Sequence, residues 1–151
     1  RDMAEWTTHE VETRLVEAAD VLKRLPEQRV RGYFNVWPEM VHDFADKDDQ
    51  KAEPMRRPPP SASSITCMEE TLTWLQFLDG EDAKMVWARA EGMRWKPICW
   101  RFGISRATAA RRWEFSLSVI TLKLNGMPVQ MRRARAMVIN RARKLSMQIA
   151  N

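Results

Sequence analysis

The sequence is poor in the features that mark membrane spans and disulfide scaffolds. It has two cysteines in 151 residues, and no apolar run approaches the ~18 residues that a membrane helix needs. Cys67 and Cys99 form no CxxC pair and lie in apolar, helical contexts, so we expect reduced, buried thiols. The first residues, RDMAEW, lack a basic-then-apolar signal pattern, which predicts a cytoplasmic location.

The motifs of common enzyme and metal sites are also missing. His9 opens an HEVE stretch without the HExxH spacing that places two histidines on one helix face, and His42 is the other histidine. Asp43 begins DFADKDD, where paired carboxylates could hold Mg²⁺ in a nuclease, but carboxylates in such a polar segment are usually solvated. We therefore predict no catalytic residues, no metal and no cofactor.

Acidic residues are almost absent from the C-terminal part of the chain. Residues 1–93 contain 12 Lys/Arg and 19 Asp/Glu, a net charge of −7, whereas residues 94–151 contain 13 Lys/Arg and one acid, Glu114, a net charge of +12. Ten of those 13 cations are arginines, which suit bidentate contacts to phosphate or guanine. The division predicts that the basic part meets a polyanion.

Composition divides the chain into four segments. Residues 1–45 predict an acidic N-terminal helical segment, residues 46–64 a Pro-rich linker, residues 65–126 a helix-turn-helix domain, and residues 127–151 a basic C-terminal helix. The RRPPP run of the linker is interpreted as a solvated spacer, with a docking peptide as the alternative. No stretch alternates as a half-buried strand does, so the predicted fold is an all-α helical bundle.

Three helices before the basic part are predicted from apolar residues spaced three and four apart. The first begins at a Thr7 or Thr8 cap, the second at a Ser63 or Ser64 cap, and the third covers about 81–91. Their predicted inward residues are Val11, Leu15, Ala18, Leu22, Leu25, Ile65, Met68, Leu72, Leu75, Val86, Trp87 and Ala90.

A helix pair is predicted in RWKPICWRFGISRATAARRW, residues 94–113, which holds six basic residues, three tryptophans and no acid. Pro97 suits the first turn of one helix, Gly103 ends that helix, and Ser105 can cap the next. Two helices joined by such a turn are the layout of a helix-turn-helix.

The apolar positions of this stretch fit that motif. Cys99 supplies the small residue that is needed where the helices cross, and Ile104 supplies the apolar residue after the glycine. The predicted inner residues are Ile98, Phe102, Ala109, Trp113, Leu117, Ile120 and Leu124. The tryptophans Trp87, Trp95, Trp100 and Trp113 are interpreted as core or core-edge residues rather than a platform for stacked bases.

The residues of the second helix that lie outside its apolar inner face predict a DNA-reading surface. Small residues at the front of the second helix, which runs over about 105–124, allow close approach to a major groove, and the arginines can reach guanine or phosphate. The predicted base contacts are Ser105, Arg106, Ala107, Ala110 and Arg111. The predicted phosphate contacts are Arg94, Lys96, Arg101, Arg112, Arg132, Arg133 and Arg135.

The C-terminal segment predicts a basic amphipathic helix with Met131, Val138, Leu145 and Ile149 on its apolar side. It could pack on the bundle, pair with a second subunit or follow the DNA backbone. A membrane-surface helix has a similar composition, but the helix-turn-helix already accounts for the positive charge.

Several stretches carry a family resemblance. ITCMEETLTWLQFL and the segment from DAKMVWARAEG to LKLNG, with EVETRLVEAADVLKRLP and GYFNVWP, resemble an uncharacterised domain family of alphaproteobacterial phages and prophages. WKPICWRFGISRATAARRW is similar to the helix-turn-helix of sigma-factor region four, although Ala109 stands where those proteins usually carry Val or Ile. The resemblance implies a phage context and a DNA-binding helix pair.

These observations predict a sequence-specific, DNA-binding transcriptional regulator of phage or prophage origin. Double-stranded DNA is the expected partner, and a homodimer is expected because one recognition helix reads few base pairs. The acidic N-terminal half could dimerise or bind RNA polymerase. The alternatives are a DNA-packaging subunit like a small terminase, and a protein-interaction module such as an inhibitor of a host protein.

Overall fold

Helices form all the regular structure that the computed structural model describes, which covers residues 6–25, 57–129 and 135–151. The predicted all-α fold is therefore confirmed over these ranges. The elements are α1 (Thr8–Arg24), α2 (Ala62–Thr73), a 3₁₀ turn (Trp74–Phe77), α3 (Gly80–Ala90), α4 (Trp95–Phe102), α5 (Arg106–Leu124) and α6 (Arg135–Ala150).

The ends of α1 and α2 follow from local hydrogen bonds. Thr7 caps α1 in a capping box, in which its hydroxyl accepts from the Glu10 backbone and the Glu10 carboxylate accepts from the Thr7 backbone. The cap of α2 is Ser61, whose hydroxyl accepts from the Ser64 backbone N–H. The cap thus lies two or three residues before the predicted Ser63 or Ser64, because three neighbouring serines offer the same chemistry.

The largest core cluster joins α1, α2, α3 and α5. Its buried members include the predicted inward residues of α1, together with Met68, Trp87 and Ile120, while Ile65 is only partly buried. The backbone of Trp6, just before α1, is also hydrogen-bonded to Asn125 at the end of α5. The backbone N–H of Trp6 donates to Asn125 Oδ1 at 3.0 Å, and Asn125 Nδ2 donates to the Trp6 carbonyl at 2.9 Å. Helix α1 therefore shares its core with α5, the second helix of the pair.

The described end of the linker lies against α1. The Arg57 guanidinium makes two contacts with the Asp20 carboxylate, at 2.5 and 3.1 Å. The hydrogen bond from Arg57 holds the pKa of Asp20 below its ordinary value, against the opposing effect of burial. The acidic stretch that begins at Asp43 lies outside the described residues.

Helix α6 packs on a second face of α5. Val138, Ile139 and Ala142 are buried there against α5 residues that include Phe115 and Val119. Of the predicted apolar side, Val138 is buried and Leu145 and Ile149 are half-buried, while Met131 lies outside the described residues. The structure thus shows the first of the three roles considered for this helix, which is packing on the bundle.

The turn between α4 and α5 has the predicted form. Gly103 ends α4 with φ +63° and ψ +37°, the left-handed conformation that glycine adopts without a steric cost. The backbone N–H of Ile104 donates to the Cys99 carbonyl at 3.1 Å, which satisfies one carbonyl at the end of α4. The Ser105 hydroxyl then accepts from the Thr108 N–H at 3.2 Å and caps α5.

A buried ion pair joins α3 to α5. Arg112 Nη2 and Nε lie 2.8 and 2.9 Å from Asp82 Oδ1. The Asp82 side chain is 2% exposed and that of Arg112 17%. Removing one partner of such a pair leaves an uncompensated charge away from water, which is costly.

We expect Asp82→Asn to lower the free energy of unfolding by about 2 to 4 kcal/mol, because Arg112 loses its counter-charge in a largely buried position. Urea unfolding of the single and double variants, with Arg112→Gln as the second change, measures this coupling. Glu70→Gln, which breaks the more exposed pair with Arg14, is the control and should cost less than about 1 kcal/mol. Equal losses in the two single-acid variants would contradict the interpretation.

We also expect Gly103→Ala to destabilise the protein by roughly 1 kcal/mol, because an L residue other than glycine is strained at this positive φ. A Cβ added there meets no atom within 4 Å, so the cost is in the backbone alone. Gly103→Asn is the matched control and should cost less, since asparagine tolerates the left-handed region. Thermal unfolding of the three proteins tests this order, which a steric origin would reverse because Asn is the larger side chain.

Candidate nucleic-acid interface

The helix pair is supported from beneath by aromatic packing. Ile98 of α4 is fully buried with Met85 and Ala88 of α3. The Trp95 and Trp113 rings meet edge to face, with their centroids 6.0 Å apart. Ala109, which stands where the similar regulators carry a larger residue, is fully buried.

The first turns of α5 expose the predicted reading residues. Ala107 and Arg111 are exposed and Ala110 is half-buried, so small side chains lie between the arginines at the front of the helix. Ser105 is exposed, but its hydroxyl accepts from the Thr108 backbone and donates to the Thr108 hydroxyl at 3.0 Å. The Ser105 side chain thus caps α5, and the base contact proposed for it stays a prediction.

The arginines of this surface have defined positions. The guanidinium of Arg106 lies 4.4 Å from the centroid of the Trp95 ring, and that of Arg89 lies 4.7 Å from it. Arg111 Nε donates to the Ala107 carbonyl at 3.4 Å. A guanidinium that lies over a ring contacts the ring through its own flat face. The N–H groups at the edge of the guanidinium can then still donate.

One residue predicted as a phosphate contact has a partner inside the protein. Arg112 points inward to Asp82, and two of its nitrogens, Nη2 and Nε, are engaged in the buried pair that joins α3 to α5. This orientation follows from helix geometry. Successive helix residues are 100° apart, so Arg112 lies on the opposite flank of α5 from Ala107 although it follows Arg111 directly. Sequence proximity to a basic surface did not place it on that surface.

The other predicted phosphate contacts divide between α4 and α6. Arg94, Lys96 and Arg101 are exposed on or beside α4. Arg135 begins α6, and its guanidinium lies 5.1 Å from the Phe115 ring, one turn of α5 beyond Arg111. The two remaining residues, Arg132 and Arg133, lie outside the described residues.

Two core assignments need correction. Trp100 is 83% exposed, because Ile98 faces the core and a residue two positions later points about 200° away on a helix. Cys67 is exposed and Cys99 is half-buried, so neither is the buried thiol expected. Cys67 precedes the buried Met68 and therefore lies beside the apolar stripe of α2 rather than on it.

Two residues near this surface, Glu114 and Arg143, were not among the predicted base or phosphate contacts. Glu114 follows Ala110 by one turn and forms an ion pair with Arg143 of α6, through Oε1 and Nη2. The signal for Glu114 was its position as the single acid among residues 94–151. No sequence signal identifies its partner, because the ion pair depends on how α6 crosses α5.

Within the described ranges, no three His, Cys, Asp or Glu side chains come together as a group that could hold a metal ion. The helices in those ranges are also too short or too polar to cross a membrane.

One known protein family matches this chain. A comparison with curated proteins and one with solved structures find no match. Residues 23–120 match a family that is described as a domain of unknown function, DUF6362. The match runs from the end of α1 into α5 and includes all of α4 and the first 15 residues of α5, while α6 lies beyond it. Because the match covers more than half of the chain, the protein belongs to the DUF6362 family of domains of unknown function.

Proposed function

We propose that the protein is a sequence-specific DNA-binding transcriptional regulator, of phage or prophage origin as the resemblance implies, in which α4 and α5 act as a helix-turn-helix. The observation that carries the proposal is the front of α5, where Ala107 and Ala110 lie between Arg106 and Arg111. Small residues allow the helix to approach base edges, and the flanking arginines can donate to the O6 and N7 atoms of guanine.

The position of Arg106 supports a base contact. Its guanidinium lies against Trp95, which fixes the side chain before any ligand binds. A side chain that is already ordered loses less conformational entropy when it binds. Its in-plane N–H groups keep the fork geometry that matches two acceptors of one guanine.

The exposed cations near the helix pair support DNA binding on the same side of the molecule. Arg94, Lys96 and Arg101 are exposed at or beside α4, where they can neutralise phosphates on one side of a groove. Arg135 adds an exposed cation beside Phe115, one turn beyond Arg111 on α5. Arg112 is not counted among the cations proposed to contact phosphates, because it is paired with Asp82.

The oligomeric state follows from the proposed chemistry. One short recognition helix reads only a few base pairs, so a homodimer on two half-sites is the expected form. The N-terminal half, with its net charge of −7 over residues 1–93, is unsuited to DNA and is proposed as the side that meets protein, such as a second subunit or RNA polymerase.

We expect the protein to retain a shared short motif from a pool of fragmented genomic DNA at moderate salt, and Arg106→Ala/Arg111→Ala to lose it. If about six phosphates are contacted, log affinity should fall against log salt concentration with a slope near −5. Sequencing of retained fragments and a salt titration measure the two quantities.

The matched control is Arg141→Ala/Lys144→Ala, which removes the same charge beside Leu122, at the other end of α5. It should keep the motif even if overall affinity falls modestly. Retention without any motif would replace regulation with packaging or general coating of DNA. If no duplex is retained even at low salt, the proposal fails and a protein partner takes its place.

We further expect a dimer in solution. Mass measured by light scattering over a range of concentrations tests this, with and without a duplex that carries the selected motif. A ring of about eight or more subunits would contradict a regulator and favour a packaging subunit.

A further inference from the structure

Glu114 occupies an unexpected place for an acid. It follows Ala107 by seven residues and Ala110 by four, so the three lie along one face of α5. Its side chain is 41% exposed, and a cleft of about 290 Å³ beside it is lined also by Arg106 and Ala110. The carboxylate therefore lies at the far end of the face that the proposed function assigns to the major groove.

Arg143 makes an acid tolerable at this position. An unpaired carboxylate near a duplex is repelled by the phosphates, which lowers affinity for every sequence. The ion pair with Arg143 cancels that charge and holds the Glu114 side chain from a second helix, α6. A carboxylate has about four acceptor positions, so one arginine contact leaves capacity for another donor.

We propose that Glu114 is a specificity-determining residue that accepts a hydrogen bond from the exocyclic amine of a cytosine, and that Arg143 is its positioning residue. This inference rests on the proposed DNA-binding function. In the major groove guanine and thymine present acceptors that a carboxylate cannot pair with, whereas cytosine presents an N4 donor and adenine an N6 donor beside its N7 acceptor. Glu114 thus disfavours guanine and thymine by exclusion, and it disfavours adenine relative to cytosine because the N7 lone pair beside the adenine amine repels a carboxylate.

Selection from a random duplex pool tests the proposal with wild type, Glu114→Gln and Glu17→Gln. Glu17→Gln removes the same charge from an exposed position on α1 and serves as the control. Glu114→Gln, whose amide can accept or donate, should lose the cytosine preference at one position and bind duplexes altered there about tenfold more tightly than wild type does. The control should keep the wild-type preference and affinity.

The role of Arg143 has its own readout. Arg143→Gln should weaken binding to all duplexes, because the acid is no longer compensated, and should weaken it several-fold less in the Glu114→Gln background. A role limited to stability predicts equal effects in both backgrounds. Circular dichroism and thermal unfolding of each variant establish that it is folded before binding is measured.

The outcomes separate the two proposals. If wild type selects a motif and Glu114→Gln selects the same one, the inference about Glu114 is wrong and the proposed function stands. If Glu17→Gln gains affinity as much as Glu114→Gln does, the effect is one of net charge and the inference is again wrong. If wild type selects no motif, sequence-specific regulation itself fails and the role of Glu114 fails with it.

Discussion

The structure depends on the burial of the second half of α5 from every side. Every residue from Phe115 to Leu122 is buried, with Leu117 and Ile120 facing α1 to α3 and Phe115, Val119 and Leu122 facing α6. A helix that is enclosed in this way cannot rotate or slide without disrupting two cores at once. Its first turns, from Arg106 to Ala110, consequently project in one fixed orientation.

Two hydroxyls within this enclosed segment are satisfied locally. Those of Ser118 and Thr121 donate to the carbonyls of Glu114 and Leu117 at 2.7 Å, which removes the need for a partner on another helix. The Ser116 hydroxyl is buried without a hydrogen-bond partner among the described residues. Asp82 and Arg112 join α3 and α5 by charge. That pair lies one turn before the enclosed segment and fixes the rotation of the front of α5 relative to α3.

The side chains of the proposed interface are therefore held in place by packing between helices rather than presented on loops. Trp95 and Trp113 hold α4 against α5, and the same Trp95 ring orients Arg106. Helix α6 brings Arg135 beside Phe115 and Arg143 to Glu114, so it contributes to the surface as well as to the core. Reading residues that are placed on rigid, supported elements keep their geometry when a ligand arrives.

The sequence by itself determined the all-helical class, a first helix capped at Thr7 or Thr8, and the start of α5 at Ser105. It also determined the turn at Gly103 and most of the apolar faces, because caps, glycine conformation and three-four spacing act within a few residues of chain. Only the tertiary structure decided that Arg112 turns inward to Asp82. It alone placed α1 in the common core and paired Glu114 with Arg143. These facts depend on which helices meet and at what rotation, and contacts between residues 29 or 30 positions apart, as in the two ion pairs, leave no local pattern for the sequence to show.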